Sequence, residues 1–392
     1  MKIAGFKAAA VAAGLRYKDR LDLGLIVADE AAAAAGVFTR NLVQAAPVIW
    51  SRDKIASGRA RAILVNAGRA NACTGAQGLA DAAASAAAAA AALGCPPDQV
   101  LLASTGVIGQ PLNIEKLAAA IPALVAGLAE DNLPQVARAI MTTDTVIKMA
   151  EASGTIGERT ISAAGMAKGS GMIQPDMATM LSFVLTDAAV SPACLQGLLR
   201  EGAEMTFNRV TVDGDTSTND TLYLLASGRA GNEPIAGPES PGYQELKRVV
   251  LEVLAALAGK IAADGEGATK LVKIVVRGAK DDGQAKTAAL TVANSPLVKT
   301  AIFGQDANWG RILMALGRSG AQFDPLAVNV SLNDAPLVRN GVDAGGEAKA
   351  AAVMKEKEFT INIEIGAGPG SAEVLTCDLS LDYVKINADY RS

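Results

Sequence analysis

Apolar positions along the chain follow two spacings, and these predict both strands and helices. Short apolar runs bounded by turn residues are typical of buried strands, whereas longer stretches with apolar residues every three or four positions are typical of helices. Strands are predicted at 61–66, 100–103 and 179–186, and helices at 82–93, 111–128, 133–140, 192–206 and 243–262. The pattern therefore predicts a globular protein in which strands and helices are mixed along the chain.

The turn Asp264-Gly-Glu-Gly267 is the predicted boundary between two structural units. After it, residues 271–278 alternate apolar and polar positions as a half-buried strand does, and further strands are predicted at 326–332 and 358–365. We therefore expect a main domain over 1–265 and a smaller C-terminal α+β domain over 266–392.

The composition favours a globular protein without a nucleic-acid or membrane partner. Half of the 392 residues are hydrophobic, only 4% are aromatic, and the net charge is −4 with a pI near 5.2. These values provide neither phosphate neutralisation nor base stacking. The alanine run at 82–93 is too short to cross a bilayer, and Lys7 interrupts the apolar N-terminus, so we expect an ordinary mature N-terminus.

The residue types available for chemistry are restricted by the absence of histidine. A Ser-His-Asp triad, a Cys-His dyad and a His-ligated metal site all need an imidazole. The acidic run at 213–220 lacks the closing glutamate of a calcium loop, so a hydrogen-bonded turn is expected there, and no glycine motif for phosphate binding is present. No metal or cofactor is predicted, and the four scattered cysteines favour a reducing cytoplasm.

The segment before Thr179 is where nucleophilic chemistry is predicted. Residues 165–178 are rich in glycine and are expected to form a structured loop that ends where a strand begins. Backbone strain there would favour attack of the Thr179 hydroxyl on the carbonyl of Ala178. Cleavage would free an α-amino group with a pKa of about 7.7–8.0, which can serve as the missing base. The alternative is that Thr179 is only a β-branched residue that opens a strand.

Two further kinds of segment are candidates for the site. Ser104-Thr105-Gly106 offers a hydroxyl beside an unencumbered backbone N–H, the chemistry of an oxyanion hole, although such a tripeptide also forms simple turns. Polar clusters at 141–145, 213–220 and 387–392 are suited to a small zwitterionic substrate.

Taken together, these segments resemble the glutamate N-acetyltransferase family of arginine biosynthesis, also called ornithine acetyltransferase. The resemblance extends over essentially the whole chain. One departure is Arg69, which lies in a turn that usually reads Asn-Ser-Gly-Asn-Ala-Asn in that family. The motifs that carry the resemblance are AGVFT at 35–39, NACTG at 71–75, STGVIG at 104–109, MTTDT at 141–145, residues 168–181, GDTSTND at 214–220, NWGR at 308–311 and the terminus 387–392.

The resemblance implies a role for individual residues. Ala178-Thr179 would be the cleaved bond, Thr179 the nucleophile, and Thr105 with Gly106 the oxyanion hole. Lys168 can pair with a substrate carboxylate and Glu266 can attract an ammonium group, although Glu266 could also be a solvated turn residue. The substrate contacts implied by the resemblance are Thr142, Lys168, Thr179, Glu266, Asn387 and Ser392.

The resemblance also implies a reaction and an assembly. Acetyl would pass from N-acetylornithine to glutamate through an acetylated Thr179 in a ping-pong mechanism, with acetyl-CoA as an additional candidate donor. The fold implied is the layered α+β sandwich of sheets and helices of the family. Fragments 1–178 and 179–392 would stay together without a disulfide in an α2β2 heterotetramer. Two alternatives remain open, namely an N-terminal-nucleophile amidohydrolase or aminopeptidase that passes the acyl group to water, and an uncleaved relative without activity.

Overall fold

The computed structural model describes residues 1–174 and 180–389. Strands and helices are mixed along the whole chain. The strands are β1 (Phe6–Val11), β2 (Leu23–Phe38), β3 (Arg59–Arg69), β4 (Val100–Val107), β5 (Lys148–Ile156), β6 (Arg159–Lys168), β7 (Leu181–Thr186), β8 (Val210–Thr211), β9 (Thr221–Ala226), β10 (Leu271–Ala279), β11 (Asn329–Leu332), β12 (Ala335–Arg339), β13 (Val342–Asp343), β14 (Glu358–Glu364) and β15 (Gly370–Cys377). The helices are α1 (Ala46–Lys54), α2 (Gly75–Leu93), α3 (Ile114–Ala126), α4 (Leu133–Ala139), α5 (Pro192–Met205), α6 (Tyr243–Ala263), α7 (Asp282–Ala293), α8 (Pro296–Phe303), α9 (Trp309–Gly317), α10 (Glu347–Val353) and α11 (Leu381–Asp389).

Local sequence signals set the ends of several helices. Ser191 caps α5 by accepting a hydrogen bond from the Cys194 N–H, and Pro192 follows at the first helical position, where its missing N–H costs nothing. The alanine-rich helix α2 ends at Gly94, whose φ of 64° lies in the left-handed region that glycine adopts without strain. These ends agree with the predicted helices to within a few residues.

The larger sheet has eight strands in the order β4-β3-β2-β9-β7-β6-β5, with β1 paired to β2. Strand β2 spans 16 residues and joins the two parts of this sheet. Its first half pairs with β1 and β3, and its second half pairs with β9. One long strand therefore connects a β1-β3-β4 part to a β9-β7-β6-β5 part.

The two parts of this sheet pack face to face, with helices on the outside. One continuous core contains inward residues of both parts, such as Ile63 and Leu101 on one side and Phe183 and Leu225 on the other. Tyr223 crosses this core and donates a hydrogen bond from its hydroxyl to a carbonyl in β4. Helices α5 and α6 cover one outer face, and α2 and α3 cover the other. The result is a four-layer sandwich, which confirms the predicted α+β class.

The second sheet has seven strands in the order β13-β12-β11-β14-β10-β15-β8. Most of it is formed by residues after 265, and α7, α8 and α9 pack into its core. Strand β8, at Val210–Thr211, joins this sheet through parallel pairing with β15 although it precedes residue 265. The division at 265/266 stays a prediction.

Two predicted elements, the second strand and the glycine-rich loop, differ from the observed ones. The strand expected to stop at residue 103 continues through Thr105 and Gly106, because β4 stays paired with β3 as far as Val107. The predicted loop at 165–178 begins later, since β6 extends to Lys168 in register with β7. Thr179 and residues 175–178 lie outside the described residues.

Within the described ranges, no helix is both long enough and apolar enough to span a membrane. All four cysteines are described, and each is a free thiol.

Candidate active site

A polar cavity of about 730 Å³, counting its open mouth, lies where the ends of several strands of the larger sheet converge. The strand register explains this meeting point. Lys168 at the end of β6 is opposite Leu181 at the start of β7, and Leu181 is opposite Thr221 at the start of β9. Thr105 comes from the facing part of the sheet. The predicted site residues within the described ranges all line this cavity, namely Thr105, Gly106, Thr142, Lys168, Glu266 and Asn387.

The candidate oxyanion-hole residues lie on β4 against the neighbouring strand β3. Thr105 is 9% exposed, and its Oγ1 accepts a hydrogen bond of 3.2 Å from the Lys168 ammonium group. Gly106 has a φ of +126°, and a Cβ there would lie 2.3 Å from the carbonyl carbon of Gly68. Only glycine fits this close approach of two strands. The structure thus places a hydroxyl and a glycine backbone together at the cavity wall.

Lys168 and Glu266 provide opposite charges in the cavity. Burial lowers the pKa of Lys168, and the nearby acidic side chains of Asp144, Glu266 and Asp220 act against that effect. Glu266 is only 8% exposed, and its carboxylate accepts a hydrogen bond of 2.8 Å from the Asn387 side chain. Glu266 is therefore not a solvated turn residue. Among the described lining residues, Lys168 and Glu266 provide a cation and an acidic group that suit a zwitterion.

A buried ion cluster behind the cavity wall was not predicted from the sequence. The Lys148 ammonium group donates to Asp144 Oδ1 at 2.6 Å and also to Asp264. Asp144 in turn accepts from the backbone N–H groups of Thr142 at 3.0 Å and Gly169 at 2.7 Å. The cluster thus fixes the segments that carry Thr142, Lys168 and, two residues after Asp264, Glu266.

The charge of Asp144 depends on this cluster. Burial acts to raise the pKa of Asp144, but the charges of Lys168 and Lys148, with the hydrogen bonds from Lys148 and Gly169, outweigh burial and leave the pKa below its ordinary value. Asp144 is therefore ionised and is a counter-ion for both lysines.

Residues 213–220 form the hydrogen-bonded turn that the sequence predicted. The Asp213 carboxylate accepts hydrogen bonds from the backbone N–H groups of Met172, Ile173 and Asp215. The Asn219 side chain donates to the Ser104 carbonyl at 2.8 Å, which holds this turn against the end of β4. Ser217 to Asp220 line the cavity, so this polar segment belongs to the site. In the described part of the chain, no group of acidic or cysteine side chains is arranged to hold a metal ion.

Three predicted site residues cannot be placed against this cavity. Ala178, Thr179 and Ser392 lie outside the described residues. The chain neighbours Met180 and Leu181, which directly follow Thr179 in the sequence, line the cavity.

A cavity with hydroxyl groups, a lysine and acidic side chains at strand ends is typical of an enzyme that acts on a small polar substrate. Comparison with known proteins defines the class further. A model of the ArgJ family matches residues 7–392. The chain is 52% identical to the arginine biosynthesis bifunctional protein ArgJ of Desulfotalea psychrophila and 50% identical to that of Geobacter sulfurreducens, in each case over 394 residues and all of both chains.

A solved structure gives the same relationship. The arginine biosynthesis bifunctional protein ArgJ of Bacillus halodurans is 41% identical, with a TM-score of 0.51, over 52% of this chain and 96% of that chain. The chain belongs to the ArgJ family. This membership confirms the predicted family resemblance and the predicted enzyme class, an acyltransferase of arginine biosynthesis.

Proposed function

We propose that the chain is a self-cleaving acetyltransferase that moves acetyl from N-acetylornithine to glutamate, with Thr179 as nucleophile. The observation that carries the proposal is the cavity that places Lys168 and Glu266 beside the Thr105 hydroxyl and the start of β7. Donor and acceptor are both α-amino acids, so one carboxylate-binding cation and one ammonium-binding anion suit each in turn.

The absence of histidine supports an N-terminal threonine as its own base. Cleavage between Ala178 and Thr179 would release an α-amino group whose pKa of about 7.7–8.0 lets it accept the hydroxyl proton near neutral pH. The coverage of the Bacillus halodurans structure agrees with cleavage, since that chain is little more than half as long as this one. That is the length expected of one fragment of a chain cut near its middle.

Intact-protein mass spectrometry tests cleavage directly. Freshly purified active protein should give two masses, for residues 1–178 and 179–392, and Thr179→Ala should give one mass and no transfer. Thr179→Ser should retain some of both activities. A single full-length mass in active wild-type protein would exclude the mechanism.

The covalent intermediate is tested by kinetics. With one hydroxyl holding the acetyl group between two substrates, double-reciprocal plots at low glutamate should be parallel. Omission of glutamate should leave an acetyl group on the second fragment. Intersecting lines would favour direct transfer in a ternary complex, and ornithine release at an unchanged rate without glutamate would select the amidohydrolase alternative.

The word bifunctional in the relatives' name supports a second acetyl donor, for which acetyl-CoA is the candidate. Either donor would give the same acetylated threonine. Glutamate-dependent release of free thiol from acetyl-CoA tests this use, and absence of thiol release in an enzyme active with N-acetylornithine would restrict it to one donor.

Assembly and location complete the proposal. The two fragments would form an α2β2 heterotetramer, which native mass spectrometry measures. Four free thiols are consistent with a reducing cytoplasm.

A further inference from the structure

The side chain of Asp220 is a buried carboxyl group in the cavity wall that the chemistry above does not use. Asp220 is 1% exposed and lines the same cavity as Thr105 and Lys168. Its Oδ2 atom is buried and has no hydrogen-bond partner among residues 1–174 and 180–389. Buried polar atoms in folded proteins are nearly always paired, so an exception that faces a cavity points to a ligand or a reacting group.

The position of Asp220 is fixed by the parallel pairing of β7 and β9. Thr221 is opposite Leu181, and the Thr221 N–H donates to the Met180 carbonyl at 2.9 Å. Asp220 and Met180 are therefore neighbours at the starts of two central strands. The Met180 N–H and Ser217 lie near the carboxyl group and act to lower its pKa. It consequently lies beside Met180, the residue that directly follows the proposed nucleophile in the sequence.

The surroundings of Asp220 favour its protonated form. Burial raises the pKa of Asp220 well above its ordinary value, and Ser217, the Met180 N–H and the charge of Lys168 oppose this only in part. Lys168 also interacts with the charges of Asp144 and Glu266, which raise its pKa, and with the charge of Lys148, which lowers its pKa. A carboxyl group whose pKa is raised by burial is suited to donate a proton as a general acid and, once ionised, to take one back.

Transfer between two amino acids requires that one proton be moved. Glutamate enters as an ammonium ion and must lose a proton before its nitrogen can attack. Ornithine leaves as a neutral amine unless it gains one. The hydroxyl proton of Thr179 does not supply this need, because it returns to the hydroxyl when the acetyl group departs.

We propose that Asp220 is the acid–base residue that carries this proton from the incoming amino group to the outgoing one, a role that rests on the function proposed above. In the first half-reaction the bond from Thr179 Oγ to the acetyl carbon forms and the amide C–N bond breaks. The hydroxyl proton reaches the leaving nitrogen through the threonine α-amine, and Asp220 donates a second proton to give ornithine ammonium.

In the second half-reaction the Asp220 carboxylate takes a proton from the glutamate ammonium. The neutral nitrogen then attacks the acetyl carbon, the new C–N bond forms and the bond to Thr179 Oγ breaks. One of the two protons on the attacking nitrogen returns to Oγ through the α-amine, and the other stays on the new amide. Atoms and charges balance over the two halves, and the Asp220 carboxyl group is restored.

The test uses substrates that do not need this proton. Hydroxylamine is a neutral acceptor at neutral pH, and p-nitrophenyl acetate releases a stable phenolate. Asp220→Asn should slow acetyl transfer from N-acetylornithine to glutamate by about a hundredfold or more, the usual contribution of a general acid or base. Transfer from p-nitrophenyl acetate to hydroxylamine should change much less. Equal losses with both substrate pairs, or no loss with glutamate, would overturn the assignment.

A matched control is Asp187→Asn. Asp187 is also buried, and burial also raises the pKa of Asp187, but it binds the Ser162 N–H away from the cavity. This variant should leave the ratio between the two substrate pairs unchanged. A control that shifts this ratio as much as Asp220→Asn would show that the effect is not specific to the cavity carboxyl group.

If the Asp220 variant fails to cleave, a measurement on the wild-type protein tests the same proposal. The rate of acylation is measured with N-acetylornithine and with p-nitrophenyl acetate. Both rates depend on the same threonine α-amine, so the pH dependence of that base cancels in their ratio. This ratio should fall as rising pH removes the Asp220 proton, and a constant ratio would overturn the proposal. Absence of any acetyl group on the wild-type second fragment would instead refute the proposed function itself.

Discussion

Removal of the Lys148 ammonium group tests whether the buried ion cluster holds the cavity wall together. The Lys148 and Asp144 side chains are each 0% exposed, and that of Asp264 is 8% exposed. Lys148→Met would leave both carboxylates buried without their cation. Breaking a buried pair from one side costs about 3–5 kcal/mol, because the remaining charge stays desolvated. We expect a loss of this size in the free energy of unfolding.

Chemical denaturation measures this loss, and intact-mass analysis checks that the compared proteins have the same cleavage state. The matched control is Lys273→Met, which breaks a 3.2 Å ion pair whose side chains are 44% and 55% exposed. An exposed pair contributes about 0–1 kcal/mol. Adding Asp264→Asn to Lys148→Met should recover part of the loss, since one unpaired charge is removed. A Lys148→Met protein within about 1 kcal/mol of wild type would refute the reasoning.

The same variant has an expected pH dependence. The pKa of Asp144 lies below its ordinary value in the folded protein because the lysines and hydrogen bonds outweigh burial. Such a group contributes stability above its unfolded pKa of about 3.9, and this contribution is lost as the pH falls through the lower folded value. Without Lys148 the folded pKa should rise. The stability difference between wild type and variant should therefore be largest at neutral pH and narrow in acid.

Three further changes test individual contacts. Thr105→Ala should leave a folded protein whose transfer is slowed by about a hundredfold or more, the scale of one lost oxyanion donor, and an unchanged rate would show that Thr105 has only a structural role. Gly106→Ala should lower both the melting temperature and the transfer rate, since its Cβ would lie 2.3 Å from Gly68. Tyr223→Phe removes a buried hydrogen bond of 2.8 Å to the Leu102 carbonyl and should cost about 1–3 kcal/mol in denaturant unfolding, with cleavage unaffected.

The helices were the most predictable part of the fold. The predicted helix at 192–206 corresponds to α5, because apolar spacing and a Ser-Pro start act locally. Strand β2 was not predicted, since its run of alanines has low strand propensity. The alanines of β2 pack into the cores on both faces of the sheet, and such tertiary contacts cannot be read from the local sequence.

The site was predictable where its residues belong to motifs and not where long-range contacts define it. Thr105, Lys168 and Glu266 were all singled out, and the structure brings them to one cavity. The cluster around Lys148 was missed because, although Asp144 is four positions away, the second partner Asp264 is 116 positions away. Asp220 lay inside a recognised polar segment, but its burial depends on the register of β7 against β9, which the sequence does not specify.

The strand order has a consequence for a chain cut before Thr179. Strands β7 and β9 would belong to the second fragment, yet β9 pairs with β2 and β7 pairs with β6, both from the first. Strands β9 and β7 of the second fragment would thus lie between strands β2 and β6 of the first. Separation would break backbone hydrogen bonds along both edges at once and expose the shared core. The two pieces would therefore be held together by sheet hydrogen bonds and a shared core, without any covalent link.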